Sequence, residues 1–294
     1  MPSFGTRLGD ASDRLSRHDR WQYALIPLCL GALNTQHVGN VLQSRSDFHA
    51  GISFGMPIPV TDGWAFVSTP TPGGGVQIGP SATLGVALFA LGVVLQGVLL
   101  AGYLGGLTRA LRGEATGFVD ATREYWLSFL GFALVLLALF VPPVLLALGP
   151  VSLRGLVVFW LLVFVVGGYL LYAAPYLVVL HDVDLRRALG WSVSLATDGG
   201  AYLRFAVGYA LVVVLVSVPA TLVVTNLSVV GVLVGVVGLA PLGLVFDTTT
   251  LVFVGDLTDA EGFGGADDRP HRAAPSPPQE DRDKDNGGAS TAST

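Results

Sequence analysis

Residues Val229 to Val254 read VVGVLVGVVGLAPLGLVFDTTTLVFV, an apolar run interrupted by one ionisable residue, Asp247. At 1.5 Å per helical residue, this run is long enough to cross the roughly 30 Å of hydrocarbon in a bilayer. Four similar runs precede it, at Ala82–Leu104, Trp126–Leu148, Leu156–Leu180 and Leu203–Val224. A shorter one, Ala24–Leu33, follows the interfacial Trp21 and ends among Asn34, Gln36, His37 and Asn40. The expected architecture is all-α: a polytopic membrane helix bundle of six transmembrane helices.

The composition agrees with this reading. Hydrophobic residues make up 52% of the 294 and charged residues 13%, half the charged share of an ordinary soluble domain. The net charge of −5 combines 17 Asp and 4 Glu with 15 Arg and a single lysine, Lys284. This balance fits either a salt-adapted prokaryote or a GC-rich genome, which alone also replaces Lys by Arg, and it excludes a basic nucleic-acid footprint. Cys29 is the only cysteine, so neither an intramolecular disulfide nor a thiolate cluster can form. The histidines, at 18, 37, 49, 181 and 271, lack metal-ligand spacing. No cofactor, metal site or small-molecule ligand is expected, and no phosphate loop, dinucleotide fingerprint or hydrolase motif is found.

Three segments complete the expected organisation. Residues 1–20 form a polar cytoplasmic N-terminal segment, 21–255 the membrane domain, and 256–294 a disordered acidic cytoplasmic tail. Within the membrane domain, 44–80 reads as an extended outer loop of Ser, Thr, Pro and Gly with scattered apolar residues. With six spans, fourteen Lys and Arg lie on one side and only Arg45 and Arg154 on the other. The positive-inside rule then places both termini in the cytoplasm and the protein in the cell membrane. If the first run failed to cross, the bias would fall to ten against six.

An internal similarity links the third and fifth runs. Gly131-Phe-Ala-Leu-Val-Leu-Leu-Ala-Leu-Phe-Val-Pro142 aligns with Gly208-Tyr-Ala-Leu-Val-Val-Val-Leu-Val-Ser-Val-Pro219 without a gap, and Leu107-Thr-Arg-Ala-Leu111 aligns with Leu185-Arg-Arg-Ala-Leu189. Two readings stand: coincidence among apolar residues, or a parallel two-helix repeat, unlike the inverted repeats of many transporters.

Four short motifs carry a resemblance: Gly102-Tyr-Leu, Arg109-Ala-Leu-Arg-Gly113, Ala174-Pro175-Tyr176 and Thr250-Leu-Val-Phe-Val-Gly-Asp256-Leu. Together, over about residues 80–258, they resemble haloarchaeal multi-pass membrane proteins of unknown function. They are distantly similar to the membrane domain attached to some glycerophosphodiester phosphodiesterases. No hydrolase domain accompanies them in this sequence, so the resemblance implies architecture and no catalytic residue.

Asp247 is the principal candidate site, because a carboxylate at membrane depth costs several kcal/mol unless it is protonated, hydrated or paired. Ala240, Gly243, Asp247 and Thr250 share a helical face that would turn the acid inward, and Arg204 is the expected partner. The alternatives are a proton or cation pathway, a structural pair, or a helix that ends near Phe246 with Asp247 capping a turn. Asn34, His37 and Asn40 form a polar stripe at helical spacing, which would either line a pocket or mark where the helix leaves the membrane. Gly231 with Gly235, and Gly102 with Gly106, are Gly-x-x-x-Gly pairs suited to close helix packing. The function expected from these features is non-enzymatic: binding or scaffolding as an accessory subunit, with the bilayer and another membrane protein as partners. The alternative is a small-solute or ion permease using Asp247.

Overall fold

The structure is a computed structural model. It describes residues 4–17, 20–43, 48–70, 82–114, 117–147 and 154–260, and all helices and contacts below belong to these residues. The expected tail beyond residue 260, and residues 44–47 and 71–80 of the expected loop, lie outside them. The described chain is all-helical, without a strand. Its helices are α1 (Phe4–Arg17), α2 (Leu25–Leu33), α3 (Thr35–Gln43), α4 (Ala82–Leu111), α5 (Phe118–Ala147), α6 (Arg154–Leu171), α7 (Ala174–His181), α8 (Leu185–Asp198), α9 (Ala201–Asn226), α10 (Ser228–Leu233) and α11 (Leu239–Leu257). Five stretches are long and apolar enough to cross a membrane: Leu91–Leu111, Phe118–Leu139, Leu162–His181, Ala201–Asn226 and Ser228–Leu257.

The first expected span is a chain of short pieces. A 3-10 turn at Arg20–Ala24 leads into α2, which stops at Asn34, where ψ turns to 72° before α3 begins. The Gly31 carbonyl accepts both the Asn34 N–H (3.3 Å) and the Trp64 indole N–H (2.8 Å), so a side chain from another segment occupies the end of the helix. The expected polar stripe therefore begins at a helix break. The run Val229–Val254 is also segmented, as α10, a π turn at Val234–Gly238, and α11. In the fourth run, a turn before Pro175 separates α6 from α7, with the proline in the first turn of α7 where its missing N–H costs nothing.

Two segments enter the bundle from opposite ends. From the end marked by Asn226, the extended stretch 49–70 descends along α9. The His49 N–H donates to Asn226 Oδ1 (3.1 Å), the Ser53 N–H donates to Ser217 Oγ (3.0 Å), and Gly55 lies against Val213. Thirteen helical residues separate Asn226 from Val213, a descent of about 20 Å. The stretch turns near Val60 and returns through a 3-10 turn at Gly63–Phe66, with the Ser68 N–H donating to Thr221 Oγ1 (3.0 Å). Val60, Trp64, Phe66 and Val67 are buried. What reads as an outer loop is, in its described part, an internal element of the bundle.

From the other, arginine-rich end, α1 lies along α11 and α9. Its Phe4, Leu8, Ala11 and Leu15 fall at i, i+4, i+7 and i+11, one helical stripe, and all pack into the core. Arg7 donates to Asp256 (2.7 Å) with its side chain 6% exposed, and its guanidinium sits over the Phe253 ring. The polar-looking N-terminal segment is thus an amphipathic helix inserted into the bundle as far as Phe246.

Candidate functional site

Asp247 sits where these two segments approach each other. α11 continues ten residues beyond it to Leu257, so Asp247 does not cap a local turn. Ala240, Gly243, Asp247 and Thr250 are all buried, and a Cβ added at Gly243 would lie 3.0 Å from Val60 Cγ1. The small residue is what lets the tip of the descending stretch reach the acid. Thr248, Thr249 and Thr250 donate to the carbonyls four residues back (2.8, 2.7 and 3.0 Å). Their hydroxyls are satisfied within the helix and leave the carboxylate to other donors.

Three donors converge on Asp247, each from a different element. The Val60 backbone N–H donates to Oδ1 (2.9 Å), Tyr176 Oη of α7 donates to Oδ1 (3.1 Å), and Tyr103 Oη of α4 donates to Oδ2 (2.9 Å). Asp247 is 1% exposed, and Tyr103 and Tyr176 are fully enclosed. Desolvating a carboxylate costs several kcal/mol. Hydrogen bonds to a charged group each contribute ~1.5–3 kcal/mol. Three of them are of the size needed to offset that cost. The carboxylate therefore ties α4, α7, α11 and the irregular stretch together at one point.

An aromatic layer closes the site. Phe246 meets Phe66 of the descending stretch at 5.1 Å between centroids, Phe4 of α1 at 5.9 Å and Tyr209 of α9 at 5.0 Å. One ring thus bridges the element that enters from each end.

No family model, curated protein or solved structure matches the chain.

The other expected site residues occupy different places. Arg204 is exposed, and its Nε donates to the Gly200 carbonyl (3.2 Å); the structure gives Asp247 two tyrosines and a backbone N–H where an ion pair with Arg204 was expected. Ion pairs of the described residues include Arg7–Asp256 and Arg109–Glu124. Asn34 donates to Asp62 (3.1 Å), while His37 contacts Thr69 Oγ1 (2.9 Å) and stacks on Trp64 at 5.5 Å. These two residues hold the returning limb of the descending stretch. A Cβ on Gly231 would fall 2.0 Å from the Val224 carbonyl oxygen, and one on Gly235 would fall 3.2 Å from a Val224 methyl, so both lie on the contact with α9. Gly102 underlies Phe118 and Thr122 of α5, and Gly106 underlies the Tyr23 ring.

Val60, Phe4 and Arg7 carry no local signal that marks them as site residues. Tyr103 and Tyr176 stand in the short motifs Gly102-Tyr-Leu and Ala174-Pro175-Tyr176.

Proposed function

We propose that this chain is an integral membrane protein of six spans with both termini cytoplasmic, acting by binding within the membrane as a non-enzymatic scaffold or accessory subunit. The path Arg20–Gln43 supports the sixth span, because its two ends lie toward opposite ends of the bundle: Tyr23 packs on Gly106 near the arginine-rich end, and α3 packs on α10. The distribution of Lys and Arg supports the orientation. The parallel repeat rests on the aligned residues of the third and fifth runs. In this reading the stretch 49–70 is a re-entrant segment. Non-helical backbone at membrane depth persists only where protein or water supplies its hydrogen-bond partners. Ser217, Thr221, Asn226 and Asp247 supply them here.

The observation that carries the scaffold reading is that Asp247 is held by three internal donors and enclosed between the re-entrant segment and α1. A permease with this site would have to withdraw one of those two elements. That second reading is favoured by the re-entrant segment itself, the helix break at Asn34 and the π turn at Val234–Gly238, features that transporters use near their substrate sites.

Cysteine accessibility separates the two readings. In a Cys29→Ser background, single cysteines at Ala240, Thr249 and Thr250, buried small positions of α11 that leave Gly243 and Asp247 intact, are challenged with a membrane-impermeant thiol reagent from each side. The scaffold reading expects no labelling at these three positions while a cysteine in the tail reacts. Labelling at the three from either side would replace it with the permease reading.

A further inference from the structure

The re-entrant segment presents part of one flank toward the bilayer. Phe54 is 58% exposed although its neighbours turn into the bundle, and together with Met56 it walls a groove of about 450 Å³ between α6 and α9. Tyr169 of α6 and Leu203, Ala210 and Val214 of α9 line the same groove, and every lining residue is apolar or aromatic. The Tyr169 hydroxyl is turned to the Ala196 carbonyl (3.0 Å), leaving its ring for the groove. Along α9 the groove spans twelve residues, from Leu203 near the arginine-rich end to Val214 at mid-helix, or about 16 Å. That length corresponds to one hydrocarbon chain of a single leaflet.

The adjoining charge identifies the head of the occupant. Arg204 is exposed and adjoins Leu203, the lining residue of α9 nearest the arginine-rich end. Its hydrogen bond among the described residues uses Nε alone. Its two Nη groups are free to meet an anionic oxygen at headgroup level. Arg186 and Arg187 of the amphipathic α8 are exposed as well and add positive charge at this end of the bundle.

We infer that this groove is a binding site for an anionic membrane lipid of the arginine-rich leaflet, its chain lying against Phe54 and Met56 and its headgroup held by Arg204. The inference rests on the membrane-embedded reading. A bound chain would complete the wall that α6 and α9 leave open and would support the re-entrant segment from the lipid side.

The test uses the full chain in lipid nanodiscs doped with phosphatidylglycerol carrying a diazirine in its acyl chain, with the matching phosphatidylcholine probe in parallel. After irradiation, labelled peptides are mapped by mass spectrometry. Labelling concentrated at 54–56 and 203–214 is expected, stronger for phosphatidylglycerol. Ala210→Phe should remove most of it by filling the groove, with monodisperse elution checking its fold. Arg204→Gln, a surface change, should lower the phosphatidylglycerol-to-phosphatidylcholine ratio about fivefold, the size of one charge contact at a membrane surface. Labelling spread evenly over lipid-facing positions such as Leu127 and Leu134 would overturn the site. Groove labelling with equal use of both lipids and no response to Arg204→Gln would overturn the headgroup assignment. Absence of labelling anywhere would overturn the membrane reading on which the site depends.

Discussion

The two segments that enter the bundle, 49–70 from one end and α1 from the other, are held by different chemistry. α1 is a helix and satisfies most of its own backbone groups. It needs from the bundle only an apolar seat for Phe4, Leu8, Ala11 and Leu15 and one partly buried ion pair, Arg7–Asp256. The stretch 49–70 is largely irregular and needs a side-chain partner wherever its backbone is deep. Ser217, Thr221, Asn226 and Asp247 are those partners. Irregular backbone is therefore costly to insert and depends on a few polar side chains, whereas a helix can dock on an apolar stripe. The stretch 49–70 should fail through single polar residues, and α1 should loosen gradually.

The largest effect is expected at Asp247. Asp247→Ala leaves the Val60 N–H and the hydroxyls of Tyr103 and Tyr176 buried without their acceptor, a loss of ~3–5 kcal/mol. Thermal unfolding of the detergent-solubilised protein should show a large drop. Asp247→Asn, which keeps one carbonyl oxygen and offers Nδ2 to a tyrosine oxygen, should lose less than half as much. Equal losses in the two variants would mean that the negative charge, and not the acceptor geometry, holds the segment.

Next in size is the pair Ser217→Ala and Thr221→Ala. Each removes the partner of one backbone N–H, and each is expected to cost ~1–3 kcal/mol. Hydrogen exchange should quicken at residues 53 and 68 first and leave α1 unchanged. Spread of the exchange into α1 would show that the two inserted segments are coupled through Phe246 more tightly than their separate anchoring implies.

The smallest effect is expected for Arg7→Ala. The pair it breaks is only partly buried, so its removal should cost ~1–2 kcal/mol. The readout is faster exchange in α1 with the protection of 49–70 retained. A collapse of both would erase the distinction between the two segments.

The apolar runs and the inward face of Ala240, Gly243, Asp247 and Thr250 were legible because they are local patterns: run length and a 3.6-residue period. The stripe of α1 was equally local, but its four residues are spaced among arginines and aspartates that make the segment look solvated. The insertion of 49–70 had no local signature. Its partners lie more than 150 residues away in sequence, and its buried Val60, Trp64, Phe66 and Val67 look like scattered apolar residues in a loop rich in Pro and Gly. The partners of Asp247 are non-local too, Tyr103 lying 144 residues away and Tyr176 71. Proximity along the membrane axis suggested an ion pair with Arg204, whereas the side-chain directions of α4 and α7 brought two tyrosines instead.

The central claim is that 49–70 lies inside the bundle, and a cross-link across its deepest contact with α9 tests this most directly. In a Cys29→Ser background, Gly55→Cys with Val213→Cys should form a disulfide on mild oxidation, because a Cβ at Gly55 lies 3.3 Å from a Val213 methyl. A product seen as a mobility shift on non-reducing gels, absent when Gly55→Cys is combined with Leu127→Cys on the exposed face of α5, is the expected result. Failure of the 55–213 pair to cross-link, with both cysteines freely labelled by an impermeant reagent, would place the segment outside the bundle and contradict the account.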